Sequence, residues 1–248
     1  MVSSANLVLF SAMNAREQQR RRYLDALGVV RWERRVTPPV EEPAAAYATP
    51  SPACGEPAKA YAPPAGGSWE ELEQAVAGCV KCGLEKTRTQ TVFGVGNRTA
   101  RWLFVGEAPG ADEDRQGEPF VGRAGQLLNA MLFAIGLRRE DVYIANVLKC
   151  RPPNNRDPQP HEVSHCEPYL IRQIELIRPR LIVALGRHAA HSLLRTEAPL
   201  ARLRGQRLSY HETPLVVTYH PAYLLRNPAD KRRAWDDLCL ARTVAEGA

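Results

Sequence analysis

Four short apolar runs, each followed by a stretch with helical spacing, constrain this chain more than any other feature in it. WLFVG at 102–106 precedes a helical pattern at Ala124–Ile135, and VYIANVL at 142–148 precedes one around Glu162–Ile177. LIVALG at 181–186 leads into Arg187–Leu194, and LVVTY at 215–219 leads into a final helix ending near Leu240. Strands that are apolar throughout, with no polar alternation, are buried on both faces. Alternating them with helices gives parallel pairing, because a crossover helix returns the chain to the same edge. The expectation is a three-layer α/β domain over residues 68–248 with a central parallel four-stranded sheet.

Upstream the composition changes. Residues 36–67 hold eight of the 20 prolines and nine alanines, with almost no aliphatic side chain to bury. Proline removes backbone donors and fixes φ, so this segment reads as a semi-extended linker. Residues 1–35 form an arm in which Ala15–Arg35 has amphipathic spacing, with Tyr23, Leu24, Leu27 and Val30 beside Arg20, Arg21 and Arg22. A solvated arm and a partner-binding helix are both open readings of it, and together arm and linker are expected to be a disordered extension. No apolar run approaches the ~20 residues that span a bilayer. The N-terminus lacks the basic flank and cleavage site of a secretory signal, so a cytoplasmic protein is expected. A net charge of +6 permits a polyanionic partner.

In open α/β sheets, ligands sit beyond the carboxyl ends of the strands. Here Gly106-Glu107-Ala108-Pro109-Gly110 follows the first strand, and Asn146 and Lys149 end the second. Gly186-Arg187-His188 follow the third and His220-Pro221 the fourth. Four segments converging on one edge mark an active site. GEAPG has neither the dinucleotide-binding glycine spacing nor the lysine of a phosphate loop, so a nucleotide cofactor is not expected.

The cysteines suggest a second centre. Cys79 and Cys82 form a C-x2-C knuckle, and Cys150 and Cys166 flank a motif-rich loop. Four thiolates suit tetrahedral zinc or an iron–sulfur cluster equally well by spacing, and small buried core thiols are the plainer alternative. Cys54 lies in the linker and Cys239 in the last helix, so neither is a natural fourth ligand.

GEAPGADEDRQGEPFVGRAGQLL (106–128), NVLKCRPPNNRDP (146–158) and HPAYLLRNP (220–228), together with the knuckle at 79–82, resemble the family-4 uracil-DNA glycosylases over roughly residues 75–240. The resemblance implies a Rossmann-like uracil-glycosylase core with a [4Fe–4S] cluster on Cys79, Cys82, Cys150 and Cys166, which favours iron over zinc. It implies a monofunctional enzyme, expected as a monomer at the nucleoid, that takes uracil from single- or double-stranded DNA by hydrolysing its N-glycosidic bond. The first 67 residues lie outside the match.

Uracil must leave the stack and enter a pocket. Phe120 is expected to stack on it, and the Gly106–Ala108 backbone to approach it closely. The Asn146 amide can donate to uracil O4 and accept from N3–H, a pattern cytosine does not present. His220 is the candidate donor to the departing O2, although a helix-capping histidine fits the same context. Leu224, Leu225 and Arg226 read as a wedge for the gap left by the base, within a stretch at 201–233 of seven basic and two acidic residues. The family-1 enzymes carry an aspartate where this chain has Ala108. Either a carboxylate acts from another position, with Glu107 favoured over Glu113 and Asp114, or Asn146 and backbone groups hold the water as a catalytic set and leaving-group stabilisation dominates. RPPNNRDPQPH after Cys150 lacks the basic histidine loop of a covalent relative, so turnover by water is expected. A non-catalytic iron–sulfur DNA-binding protein and a repair or replication scaffold acting through the arm are the rival readings.

Overall fold

A computed structural model describes residues 67–247. The arm and nearly all of the linker, residues 1–66, lie outside the described residues, and with them the amphipathic-helix and disorder expectations.

The first described element is helix α1 (Trp69–Ala77), where Ser68 and Glu71 form a reciprocal capping box at 3.2 and 2.8 Å. The four apolar runs form β2 (Trp102–Gly106), β3 (Tyr143–Asn146), β4 (Leu181–Leu185) and β6 (Thr213–Thr218), paired parallel in the order β3-β2-β4-β6. The sheet is nevertheless six-stranded, because β1 (Val95–Gly96) adds antiparallel to β3 and β5 (Leu208–Tyr210) adds antiparallel to β6. Both additions are edge strands of two and three residues, too short to carry a period.

Successive strand residues point to opposite faces, and the two cores follow that rule. Leu103, Val105, Ala145, Ile182 and Val217 face α1, α4 (Pro160–Ile177) and α5 (Arg187–Leu194). Phe104, Ile144, Val183, Leu185 and Val216 face α3 (Arg123–Ala134), α7 (Pro221–Arg226) and α8 (Lys231–Glu246). Two short helices, α2 (Ala111–Gln116) and α6 (Leu200–Leu203), complete the α-helices among the described residues. The C-terminal helix differs from expectation. After β6 the chain makes α7, a 3-10 turn at Pro228–Asp230 and then α8, which runs past Leu240 to Glu246. Pro228 cannot continue the first helix, and this enforces the break. No helix among the described residues is long and apolar enough to cross a membrane.

Candidate functional site

An open cleft of about 810 Å³ lies beyond the carboxyl ends of β2, β3, β4 and β6, with Glu107, Phe120, Asn146, His188 and His220 in its wall. Gly106 makes it possible. A Cβ there would stand 2.3 Å from Asn146 Oδ1 and 2.8 Å from the Phe120 ring, so only glycine lets strand end, amide and ring share the space. Asn146 is 2% exposed, and its Oδ1 is buried with no hydrogen-bond partner among the described residues. An acceptor left in that state costs about 1–3 kcal/mol, which a ligand N–H would recover. Phe120 is buried at a left-handed φ of 55°, with its ring centroid 5.5 Å from that of His220. Strain of this kind in a non-glycine residue gathers at functional sites.

His220 begins α7 and caps it, since its Nδ1 accepts from the Ala222 N–H at 3.1 Å. A neutral ring that accepts at Nδ1 carries its proton on Nε2. Burial, then the charge of Arg226 and of His188, pull its pKa down to about 4, so the ring is neutral at physiological pH. Gly186 turns the chain at φ 89°, and a Cβ there would sit 2.8 Å from the His220 Cβ. The capping role and a place in the cleft therefore belong to the same imidazole.

Of the three candidate carboxylates, two are engaged elsewhere. Glu113 accepts from Gly110 N at 3.1 Å and from Val121 N at 3.3 Å, fastening two loops together. Asp114 is buried and accepts from Thr89 N at 2.9 and 3.0 Å. Glu107 remains. Burial and the neighbouring Asp157 charge raise its pKa to about 7, against the opposing charge of Arg187. Glu107, Asp157 and His188 bring side-chain ligand atoms within 4.8 Å of one another, and His188 Nε2 lies 3.4 Å from Asp157 Oδ2. Asp157 is the member that sequence reasoning missed, and its only signal was a place inside the NVLKCRPPNNRDP motif.

The wedge needs correction. Leu224 is 1% exposed and packs in the core with Leu128 and Leu132, whereas Leu225 is 36% exposed and Arg226 is exposed at the cleft rim. The basic stretch is also partly internal. Arg204 forms a bidentate pair with Asp237 at 2.7 and 3.1 Å and lies 4.2 Å over the Tyr219 ring. Arg202, Arg207, Lys231 and Arg232 are exposed.

A second, small pocket is lined by all four cysteines, with Val76, Leu84, Lys149, His165 and Tyr169 around them. Arg88 Nη1 donates to Cys150 Sγ at 2.9 Å, and Lys149 N donates to Cys166 Sγ at 3.2 Å. Burial pushes the Cys82 and Cys150 thiols up and that of Cys166 up to about 12. A metal reverses this preference by holding the thiolate form directly. Four soft donors on one pocket, two of them already receiving N–H groups, fit a tetrahedral zinc ion or a cubane cluster. Cys239 is not among them. Lys149 itself is fully buried, and its Nζ donates to the Asn146 carbonyl at 2.8 Å and to Gln173 Oε1 at 2.6 Å.

Residues 93–239 match the uracil DNA glycosylase superfamily. A type-4 uracil-DNA glycosylase of Archaeoglobus fulgidus is 52% identical over 169 residues, covering 65% of this chain and 85% of the relative. Those of Sulfurisphaera tokodaii and Thermotoga maritima are 44% and 46% identical, covering 72% and 66% of this chain and 85% and 86% of theirs.

Proposed function

The chain belongs to the type-4 uracil-DNA glycosylases, and from that premise we propose how its residues divide the work of removing uracil from DNA. The observation that carries the reading is the orphaned Asn146 Oδ1. Uracil N3–H is the donor it lacks, while the amide N–H meets O4. Cytosine offers an acceptor and a donor in the reverse places, so the same amide rejects it.

With the base flipped against Phe120, the His220 Nε2–H points to uracil O2. The glycosidic N1–C1′ bond breaks with its electron pair passing into the ring, and charge collects on that oxygen. A neutral, preorganised donor favours this state over the ground state. Water adds to C1′ and releases a proton to solvent, the uracil anion takes one up, and an abasic site and free uracil are left. Glu107, in its ionised form, orients that water, which answers for the carboxylate missing at Ala108. Leu225 and Arg226 fill and flank the vacated stack.

Cys79, Cys82, Cys150 and Cys166 would hold a [4Fe–4S] cluster that, when bound, clamps the α1 knuckle, the β3 end and α4 together. Glycosidic hydrolysis transfers no electrons, so the clamp is structural. The same reading sets a monomer to work on cytoplasmic, nucleoid DNA, with residues 1–35 as an arm for a repair or replication partner.

The test is release of free uracil from single- and double-stranded oligonucleotides, beside iron and sulfide analysis of anaerobically purified protein. Base release with about four irons per chain is expected. Tight DNA binding without release would instead favour the non-catalytic reading, and a colourless protein with stoichiometric zinc would remove the cluster.

A further inference from the structure

Resting on that reading, we propose that Lys149 is a positioning residue that couples the four-cysteine centre to the base-reading amide of Asn146. Its ammonium is completely buried, yet both hydrogen-bond acceptors of Nζ are neutral oxygens, the Asn146 carbonyl and the Gln173 amide. A buried cation held only by neutral groups is costly without an anionic neighbour. Lys149 lines the cysteine pocket, and four thiolates supply that charge.

The connection is short and closed. Asn146 ends β3, and Cys150 stands four residues on. Between them Lys149 folds its side chain back to the Asn146 carbonyl while its own N–H goes to Cys166 Sγ at 3.2 Å. Gln173, on the same helix as Cys166, grips Nζ and is itself anchored by donating to the Phe93 carbonyl at 3.0 Å. Assembly of the thiolate centre thus sets where the ammonium sits. The ammonium sets the strand end from which the orphaned Asn146 Oδ1 is aimed. Base recognition and the cysteine centre are two ends of one hydrogen-bonded chain.

Lys149→Met in the cluster-loaded, full-length protein tests this. The variant keeps the length of the side chain and removes its charge and donors. Single-turnover uracil release should fall by about 10- to 100-fold, the scale of a small misplacement of a reacting group. The cluster's reduction potential should move to more negative values, because a buried positive charge beside it is gone.

The decisive arm is a double-mutant cycle with Asn146→Ala. If Lys149 acts through Asn146, its loss should cost little once the amide is absent. Additive losses together with an unmoved potential would overturn the coupling. If Lys149→Met does not fold, Gln173→Leu probes the same chain from the other end, and wild-type kinetics there would overturn it equally. A wild-type protein that lacks the cubane spectrum or releases no uracil would instead overturn the underlying reading.

Discussion

The strand-end cleft and the cysteine pocket lie at opposite ends of the segment from Asn146 to Cys150, and they treat polar groups in opposite ways. Around the cysteines the donors are spent, with Arg88 on Cys150 and the Lys149 N–H on Cys166. In the cleft the debts are left open. Asn146 Oδ1 has no partner, Glu107 holds its proton up to about pH 7, and Phe120 sits in a left-handed conformation. A centre built to hold the fold satisfies its groups in advance, whereas one built to react keeps groups that only a ligand satisfies.

The contrast breaks first, if it breaks, at His220. His220→Ala should lower single-turnover uracil release by about 10²–10³ while leaving affinity for uracil DNA within a few-fold. Release near the wild-type rate would take the imidazole out of the reaction.

Cys150→Ser should do the converse. Metal content should fall and the unfolding midpoint drop, by roughly 2–4 °C for each kcal/mol lost, while the fraction that stays folded and loaded keeps its rate. A variant of wild-type stability but no activity would invert the comparison.

Glu107 sharpens it. If the ionised carboxylate orients water, uracil release should rise with pH through about 7, above the range of an ordinary carboxylate. In Glu107→Gln that rise should be absent. The stability sign is opposite to that of a paired acid. The folded pKa lies above the unfolded value of 4.5, so stability is greatest below 4.5, declines between 4.5 and about 7, and stays reduced above. Thermal melts at pH 8 should therefore show Glu107→Gln to be more stable than the wild type.

The smallest effect is expected at the rim. Arg226→Ala should weaken DNA binding a few-fold and reduce the slope of log affinity against log salt by about 1, read by titration at several salt concentrations.

Much of this was legible in the sequence because it depends on continuous apolar runs and on residues adjacent to their ends. β2, β3, β4 and β6, the Arg187–Leu194 helix and the four grouped cysteines are of this kind. What escaped needed three-dimensional phase. Leu224 and Leu225 are equivalent in composition, but about 100° separates neighbours on a helix, and the core takes only one of them. Asp157 reaches Glu107 and His188 from a segment whose own residues announce nothing about that meeting. Arg204 reads as part of a basic surface until Asp237, on α8, is seen to claim it. The edge strands β1 and β5 owe their existence to the neighbours they pair with.

The helix cap at His220 has an evolutionary consequence. Its Nδ1 is engaged at the start of α7, which leaves the far nitrogen of a cleft-lining ring for another role. Asparagine is among the best residues at such a cap, presents its oxygen near where Nδ1 stands, and is too short to replace Nε2–H. Histidine and asparagine codons differ by a single nucleotide. On the proposed roles, one base change therefore separates this enzyme from a protein that would keep the same architecture and lesion recognition while releasing uracil about 10²–10³-fold more slowly.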